Sequence, residues 1–394
     1  MTVRPLSCIL VLLPLSLVAC TSEETTPPNG DLECDVVIVG GGVGGLHTAF
    51  RLAPSLGDKV CLFEKEAQVG GRIKDISLDD SDPNAPRVGA GARRVMEGQT
   101  VLLDLATELG IQLETPPITQ DLINARGGFA FSKEGLVNLY PGLTPDPGGD
   151  TETALYDKLR FGPERANAAS YANFEAYVRA VAGDEGYEFL HDMSRFRADF
   201  KVPLDVAGYL DYLDEEWDVC CTPSYPIGGM SQFPLGMAAG ATEKGAQIFT
   251  SDPVASIDRN ADGGFDIVSS SHKAHADKVV IAVPPVGMDK IKGDVVDDIK
   301  AQQVYKDIVG VKVVTITQWW ETAWYANIVN PNATENARVW RGWTTEHCLN
   351  FIEIPLEPYA AAANVTRSVY NDDPECSNIG KTLQTRETTL WKRL

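Results

Sequence analysis

Three glycines early in the chain have the spacing that a dinucleotide phosphate requires. Gly40, Gly42 and Gly45 form a G-x-G-x-x-G pattern. Gly40 permits a tight turn, Gly42 lets a pyrophosphate approach the backbone, and Gly45 allows a helix to pack closely on a strand. The backbone amides at the N-terminus of that helix then face the phosphates. The pattern therefore predicts a site for a dinucleotide cofactor.

An acid and an arginine extend this glycine motif. Glu64 ends a second apolar run, where dinucleotide-binding units use an acid to accept hydrogen bonds from ribose hydroxyls. Gly70, Gly71 and Arg72 follow it. Two small residues admit a ligand, and a planar guanidinium suits phosphate oxygens. These residues predict a second loop that reaches the same pyrophosphate.

Two strands and a helix must hold these residues in place. Asp35 to Val39 is a short β-branched run, Val60 to Phe63 is a second apolar run, and Leu46 to Leu52 has helical character. A strand, a glycine turn, a helix and a parallel strand make the βαβ unit from which a doubly wound sheet is built. A glycine-rich surface turn is the alternative interpretation, and the position of Glu64 argues against it.

The segment EKEAQVGGR and the motifs that follow it resemble the FAD-dependent amine oxidase superfamily, which includes monoamine, polyamine and L-amino acid oxidases. Gln68 stands where the family often has a basic residue. The resemblance implies an FAD enzyme that oxidises a C–N bond and passes electrons to O2. The further matching motifs are VGAGARRVMEG at 88–98, YPIGGMSQFPLGMA at 225–238, DPVASI at 252–257, ADKVVIAVPP at 276–285 and QWWE at 318–321.

The resemblance also implies which residues bind FAD. No pattern of metal-ligand spacing is present in the sequence, and a metal site at His272 and His275 is disfavoured because no cysteine or acid ligand pattern lies near them. We therefore expect no bound metal, and FAD is the cofactor that the resemblance implies. The residues implied to bind FAD are Gly40, Gly42, Gly45, Glu64, Gly70, Gly71, Arg72, Gly91, Ala92, Arg93 and Val254.

Arg94 is the residue that the resemblance implies for substrate choice. It matches the arginine that binds the substrate α-carboxylate in L-amino acid oxidases, whose pattern there is G-A-M-R-[LF]-P-E, with Arg93 at the Met position. A guanidinium can clamp a carboxylate with two hydrogen bonds in a dry pocket. Two alternatives stay open: Arg94 pairs with an internal acid, or the arginine doublet shifts the register by one residue.

Four further residues are implied to act on the substrate. Tyr225, Trp319 and Trp320 are the expected substrate contacts. Lys312 resembles the lysine that holds a water near flavin N5, although its spacing to the tryptophans is shorter than the family usually shows. A lysine that forms a salt bridge at a strand end is the alternative. Lys312 is therefore the predicted catalytic residue.

We expect an α/β fold with a doubly wound, Rossmann-like FAD-binding domain formed by residues 31–105 and 225–300. Residues 106–224 contain a charged, aromatic stretch with helical periodicity, which predicts a helical insertion on the substrate side. Residues 301–394 include VGVKVVTITQWW, which predicts the mixed sheet of a substrate domain.

Residues 1–20 predict export. An arginine precedes the apolar run Leu6 to Ala19, which is too short and too interrupted by proline for a membrane span. Its end resembles the bacterial lipoprotein cleavage box, in which Cys20 becomes the lipidated first residue. An ordinary signal peptide is the alternative, and residues 21–30 have the composition of a tether. The expected location is the cell envelope, through a lipid anchor, or outside the cell.

Composition and charge limit the function. A chain of 394 residues with 44% hydrophobic content is long enough for two or three domains. A net charge of -21 argues against nucleic acids and anionic membrane surfaces as partners. The sequence has no G-x-S-x-G, P-loop or H-E-x-x-H motif, which argues against a hydrolase, an NTPase and a metalloprotease. A small amine or amino acid is the expected partner, and the sequence leaves open whether the chain forms a homo-oligomer.

Six of the eight cysteines lie beyond the predicted signal, and an exported chain can form disulfides. In a regular ladder Cys34 and Cys61 are offset by about 10 Å along their strands, which disfavours their pairing. Cys348 and Cys376 are the most local pair. The adjacent residues Cys220–Cys221 are expected to be partly free or paired elsewhere.

The resemblance is incomplete towards the C-terminus. Members of the superfamily continue to a last segment with an F-A-G-E-like motif and a helix that faces the flavin, and nothing here matches it. Truncation, or a segment supplied by another chain, would explain this. We expect oxidative deamination of L-amino acids or other amines to imine or keto acid, ammonia and hydrogen peroxide. The alternatives are a monoamine or polyamine oxidase, a flavin desaturase, and an inactive lipid-anchored flavoprotein fragment.

Overall fold

Most of the chain after the predicted tether has a described structure. A computed structural model describes residues 31–376, apart from 78, 80, 83–84, 86, 117–119, 219–221, 331–338, 346–347, 349, 357–363 and 375. The predicted signal with Cys20, the tether and Cys220–Cys221 lie outside the described residues. Where the structure describes the chain, its helices are too short or too polar to cross a bilayer.

The β-strands form two six-stranded sheets and two smaller sheets. Their bounds are β1 Leu32–Val39, β2 Val60–Phe63, β3 Asp75–Ser77, β4 Arg87–Gly89, β5 Val95–Met96, β6 Leu113–Glu114, β7 Gln120–Ala125, β8 Gly128–Ala130, β9 Pro223–Pro226, β10 Gln247–Phe249, β11 Val254–Arg259, β12 Phe265–Ser269, β13 Lys273–Ile281, β14 Val314–Trp319, β15 Val339–Thr344, β16 Phe351–Glu353 and β17 Val365–Asn371.

The α-helices lie mainly at the first sheet and in one helical segment. Their bounds are α1 Val43–Leu56, α2 Thr100–Glu108, α3 Thr151–Phe161, α4 Phe174–Met193, α5 Ala198–Lys201, α6 Val206–Asp218, α7 Gln232–Glu243, α8 Pro285–Met288, α9 Asp294–Ala301 and α10 Gln303–Lys306. Short 3-10 helices span Gly57–Lys59, Glu134–Leu139, Pro163–Ser170 and Trp324–Asn327.

The first large sheet carries the glycine motif. Its order is β10-β2-β1-β13-β12-β11, in which β10, β2, β1 and β13 run parallel and the last two strands antiparallel. Alternate residues of β1 enter two different apolar clusters, because side chains of a strand point to opposite faces. Leu46 of α1 and Met237 of α7 pack on one face, and Val296 of α9 on the other. The sheet is therefore covered on both sides, as parallel strands require.

The second large sheet has the order β14-β17-β16-β15-β7-β8. It is mixed, because β15 pairs in parallel with β7 while its other pairings are antiparallel. Strands β14 to β17 come from the segment in which the sequence predicts a mixed sheet. Strands β7 and β8 come from 106–224, the predicted helical insertion, so this sheet also draws on that segment.

Helices α3 to α6 build a separate apolar core beside the second sheet. Phe174, Tyr177 and Phe200 are fully buried in it, together with Ile123 of β7. The side chain of Asn173 accepts a hydrogen bond from the backbone of Ala176 and caps α4, which explains where that helix begins. The helices that the sequence periodicity predicts in this segment are thus formed, as α3 to α6.

The structure contains two disulfides among its described residues, and one of them is the pairing that the sequence disfavours. Cys34 and Cys61 are bonded, with Cα atoms 6.1 Å apart. The strand β1 pairs with β2 only from Val36 onwards, and Cys34 shares an apolar cluster with Val37, so regular alternation breaks between them. The assumed offset of a regular ladder therefore does not apply to Cys34. Cys348 and Cys376, the most local pair in the sequence, are also bonded, with Cα atoms 5.4 Å apart.

Candidate active site

The glycine turn has the geometry that the sequence predicts. Gly40 has a φ of 107°, which favours glycine, and its N–H donates to the carbonyl of Phe63 at 2.8 Å. A Cβ on Gly45 would lie 1.9 Å from the carbonyl oxygen of Gly40, so only glycine lets α1 approach β1 this closely. A Cβ on Gly42 would meet no protein atom within 4 Å. The turn thus leaves open space beside Gly42, at the N-terminus of α1.

Glu64 has a structural role that the sequence did not reveal. Its carboxylate is 7% exposed and accepts a hydrogen bond from the N–H of Gly41 at 2.7 Å and one from the N–H of Glu66 at 2.9 Å. The side chain therefore holds the glycine turn against the end of β2. A carboxylate has about four acceptor sites, so these bonds leave capacity for the ribose hydroxyls that the sequence assigns to Glu64.

A second glycine loop lies directly against the first. The N–H of Gly70 donates to the carbonyl of Gly41 at 2.8 Å. The N–H of Ala92 donates to the carbonyl of Arg72 at 3.3 Å, and a Cβ on Gly91 would lie 1.7 Å from that carbonyl oxygen. The three segments that the resemblance assigns to the cofactor are thus adjacent in space. The need for glycine at Gly91 comes from this close backbone contact.

Residues of the second and third of these segments, among them Arg72 and Gly91, form one wall of a cavity of about 580 Å³, and the first glycine turn is not part of that wall. The exposed side chain of Arg72 is part of that wall and makes no hydrogen bond or ion pair with any described residue. Among the described residues that line the cavity none is acidic, so its charged side chains all favour an anion. The pyrophosphate of a dinucleotide is an anion of the kind that suits these side chains. The lining residues are Gly71, Arg72, Lys74, Gly89, Ala90, Gly91, Ala92, Arg93, Val313, Thr315 and Arg367.

A row of alternating charges crosses the second sheet beside this cavity. Asp121 on β7 is opposite Arg341 on β15, Arg341 is opposite Glu353 on β16, and Glu353 is opposite Arg367 on β17. Arg341 binds Asp121 through two bonds of 3.0 and 2.6 Å, and Arg367 binds Glu353 at 3.1 Å. We call Asp121, Arg341, Glu353 and Arg367 the charge row. Arg367 also donates to the carbonyl of Gly89 at 3.1 Å, which connects the row to the cavity wall.

Glu353 is the most enclosed member of the row. It is 1% exposed, and it accepts hydrogen bonds from Arg93 and Arg367. Burial raises the pKa of this carboxyl, but the positive charges of Arg93, Arg367 and Arg341 outweigh burial and lower its pKa to about 2. Glu353 is therefore ionised at neutral pH. The side chain of Arg93, which the resemblance assigns to the cofactor, is committed to this acid while still lining the cavity.

Sequence reasoning missed the charge row. Its members lie far apart in the chain: Asp121 and Arg341 are separated by 220 residues, and Arg367 and Gly89 by 278. The sequence signal that could have indicated the charge row is a single charge inside a short apolar strand, as for Glu353 in FIEI. A charge at such a position is rare unless it is paired, so each of these residues requires a partner.

Arg94 and Arg195 lie near the charge row without an acid of their own. Arg94 is half-buried, and its guanidinium makes no hydrogen bond or ion pair with any described residue. The alternative in which Arg94 pairs with an internal acid therefore has no support among the described residues. Arg195 follows α4 and is also half-buried. Burial and the charges of Arg341 and Arg94 lower the pKa of its guanidinium to about 9.

The remaining predicted site residues occupy different places. Trp319 is partly buried against Val88 and Val365 next to the cavity wall. Trp320 is 37% exposed, and its indole donates to Thr366 at 2.9 Å. The roles implied for these two tryptophans stay predictions.

Tyr225, Val254 and Lys312 are also outside the cavity wall. Tyr225 is buried on β9, and Val254 begins β11 and packs in the core of the first sheet. Lys312 is exposed, one residue before Val313, which lines the cavity. A catalytic role for Lys312 stays a prediction. The described residues contain no group of three metal-ligating side chains.

Comparisons with known proteins show the family to which the chain is similar. The sequence profile of the family described as "Flavin containing amine oxidoreductase" matches residues 43–339. Protoporphyrinogen oxidase from Bos taurus is 24% identical over 302 residues, which cover 65% of this chain and 61% of that protein. Flavin-containing amine oxidase B from Rattus norvegicus is 32% identical over 103 residues, 26% of this chain and 19% of that protein. The chain thus spans 61% of the length of the bovine relative.

Solved structures share the fold. Putrescine oxidase bound to putrescine has a TM-score of 0.66 at 18% identity, covering 91% of this chain and 80% of that chain. Cyclohexylamine oxidase from Brevibacterium oxydans has a TM-score of 0.66 at 16% identity, covering 90% and 79%. These likenesses show a mixed α/β fold of the kind found in flavin amine oxidases.

Proposed function

The chain belongs to the flavin-containing amine oxidoreductase family, whose cofactor is FAD, and from this premise we propose that it oxidises the C–N bond of L-amino acids. The observation that carries the proposal is the unpaired guanidinium of Arg94, the residue that follows Arg93 of the cavity wall, in positively charged surroundings. A simple amine has no group that such a guanidinium would bind, whereas an α-carboxylate accepts two hydrogen bonds from it. The products are an imine or keto acid, ammonia and hydrogen peroxide.

We further assign the first sheet and its helices to a Rossmann-like FAD-binding domain of residues 31–105 and 225–300. The parallel strands, the glycine turn at the N-terminus of α1 and the acid that ends β2 support this assignment. Residues 106–224 and 301–394 would then form the substrate side. The second sheet supports this division because strands from both segments compose it.

The residues of this chain position the reactants. Gly42 and the N-terminus of α1 would receive the pyrophosphate, and Arg72 would donate to its oxygens. Arg94 would hold the α-carboxylate and so orient the α-hydrogen. When bound, FAD supplies the hydride acceptor and a route for the electrons to O2. Orientation of this kind accounts for much of the rate enhancement in such sites.

Two groups near the cavity have different proposed roles in proton chemistry. Glu353, with a pKa of about 2, is too weak a base to take a proton from the amine and serves to hold Arg93 and Arg367. Lys312 is proposed to hold a water at the edge of the cavity. Its place next to Val313 supports this, and its exposed ammonium is compatible with it.

Arg94→Lys tests the substrate class. The lysine keeps the charge but loses the planar fork, so KM for L-amino acids should rise about 30-fold, the equivalent of ~2 kcal/mol for a charged hydrogen bond. Decarboxylated amines should change much less. Steady-state peroxide assays on the FAD-loaded enzyme measure both. Arg51→Lys, at an exposed ion pair with Glu108, is the matched control and should leave both substrates unaffected.

The same assay separates the alternatives. Equal turnover of amines and amino acids by the wild type, or an Arg94→Lys enzyme with unchanged KM for amino acids, would assign the chain to the monoamine or polyamine oxidases. Putrescine and cyclohexylamine are the amines to test, because putrescine oxidase and cyclohexylamine oxidase share the fold of this chain. Oxidation without peroxide release would indicate a desaturase. Absence of turnover after FAD loading would favour a binding protein or an incomplete flavin site.

We propose that the mature protein is a lipoprotein of the cell envelope. The LVAC sequence before the predicted tether supports this. In the native host, residues 1–19 should be missing, Cys20 should be lipidated, and the protein should stay with membranes until detergent is added. Mass spectrometry of the N-terminal peptide tests this. An intact Met1 or an unmodified Cys20 would rule it out.

A further inference from the structure

The charges of the charge row and of the arginines near it do not balance. The charge row contributes two guanidinium groups and two carboxylates, and Arg93 adds a third guanidinium bound to one of those carboxylates. Arg94 and Arg195 bring two more cations and no acid. Among the described residues, this cluster therefore has an excess of three positive charges, in a chain whose net charge is -21. A local excess of this kind attracts anions.

Arg195 is the cation of this cluster whose position is best fixed. Its carbonyl accepts a hydrogen bond from the side chain of Asn350 at 3.3 Å, and the N–H of Arg197 donates to Asp372 at 3.0 Å. The backbone at Arg195 and just after it is thus tied to residues that adjoin the ends of β16 and β17. The guanidinium lies 5.8 Å from the ring of Phe196 and makes no hydrogen bond or ion pair with any described residue. The backbone at Arg195 is held in place, and its guanidinium has unused donors.

The acids of the charge row cannot serve Arg195. Asp121 already accepts two bonds from Arg341, and Glu353 accepts bonds from Arg93 and Arg367. A guanidinium stays charged at neutral pH even where its surroundings disfavour the charge. A partly buried cation without a partner is costly, so an anion from solution would be bound there.

The positions of the two unpaired cations suit one elongated ligand. Arg367 lines the cavity, and Arg341 lies two strands away, about 10 Å at the usual spacing of neighbouring strands. Of these cations, Arg341 repels Arg195 most strongly, and Arg94 follows. Arg195 is therefore associated with the Arg341 end of the charge row, while Arg94 follows Arg93 of the cavity wall in the chain.

We propose that the substrate is an α-amino dicarboxylate, with its α-carboxylate on Arg94 and a second carboxylate on Arg195. This inference rests on the proposed oxidation of amino acids and adds the class of side chain. A planar guanidinium binds a carboxylate through two parallel hydrogen bonds, which is why an acid side chain suits Arg195 better than a neutral amide does. The negative charge relieves the repulsion among Arg195, Arg341 and Arg94.

The test compares L-glutamate with L-glutamine, which differ by one oxygen and one charge. The FAD-loaded wild type should prefer glutamate in kcat/KM. Arg195→Met removes the charge and keeps a similar length. It should lower kcat/KM for glutamate about 30-fold, the effect expected of a charged hydrogen bond. The kcat/KM for glutamine should stay within about threefold of the wild-type value. Arg195→Lys should recover part of the loss. Arg259→Met, which removes an exposed arginine paired with Asp294 and Asp298, is the control.

A second measurement does not depend on turnover. Glutarate, a dicarboxylate without an amine, should raise the Tm of the wild type, and butyrate should raise it less. Arg195→Met should lose the response to glutarate. Its own Tm should not fall, because the substitution removes an unpaired cation from a positive cluster, whereas a purely structural arginine would lower it.

The outcomes distinguish the two proposals. Amino-acid oxidation with equal preference for glutamate and glutamine, and an unchanged profile in Arg195→Met and Arg195→Lys, overturns the dicarboxylate proposal and keeps the oxidase. A response to glutarate that depends on Arg195, without oxidation of any amino acid, keeps the anion site and overturns the oxidase. A Tm of Arg195→Met well below that of the wild type, with no response to glutarate in either protein, assigns Arg195 to structure alone.

Discussion

Gly42→Val will fold as the wild type does and will purify without flavin. A Cβ at this position meets no protein atom within 4 Å, and the φ of -76° at Gly42 is one that other residues adopt, so we expect the fold to be kept. The branched side chain instead occupies the space at the N-terminus of α1 where a pyrophosphate must approach the backbone. The ratio of absorbance at the flavin bands to that at 280 nm measures the loss, and far-UV circular dichroism checks the fold.

Two further substitutions separate cofactor loss from misfolding. Gly42→Ala adds a single methyl group and should weaken flavin binding less than Gly42→Val does. Gly45→Val places a Cβ 1.9 Å from the carbonyl of Gly40 and should disrupt the packing of α1 on β1, so that the fold itself is lost. Stoichiometric FAD in purified Gly42→Val would contradict the assignment of this turn to the pyrophosphate.

Glu353→Gln will lower the free energy of unfolding by about 3–5 kcal/mol, the usual cost of removing one partner from a buried ion pair. Glutamine keeps the shape of the side chain but leaves Arg93, Arg367 and Arg341 without the charge that holds them together. Urea denaturation monitored by circular dichroism measures the change. Glu108→Gln removes the acid of an exposed pair with Arg51 and should have little effect, because water and salt screen such pairs.

Acid provides a second check on Glu353. Its pKa of about 2 in the folded protein is below its ordinary value of 4.5, so the ionised form stabilises the fold. The advantage of the wild type over Glu353→Gln is fully present above about pH 4.5 and shrinks as pH falls from there towards 2. A difference that does not depend on pH, or a variant as stable as the wild type at pH 7, would show that this carboxylate does not stabilise the sheet.

Local patterns in the sequence predict the local structure well. The strand predicted at Val60 to Phe63 has those bounds, and the glycine turn between β1 and α1 forms as the spacing requires. These features depend on contacts between residues close in the chain or on backbone geometry that only glycine allows. The run of strand character before QWWE likewise becomes β14.

The sequence does not predict which distant strands meet. The pairing of β7 with β15 brings together residues separated by 220 positions, and no periodicity within either strand indicates its partner or its register. The error at Cys34 has the same origin, since a regular ladder was assumed where pairing begins only at Val36. The charge row was missed for this reason, and with it the excess charge near Arg94.

The charge row also bears on how the second sheet assembles. A slip of one residue between β15 and a neighbour would move Arg341 to the opposite face from Asp121 and Glu353 and leave buried charges unpaired. Apolar residues alone tolerate such alternatives more easily than paired charges do. The row therefore favours a single alignment of strands that come from distant parts of the chain. A misaligned sheet would be less stable, because its buried charges would lack partners.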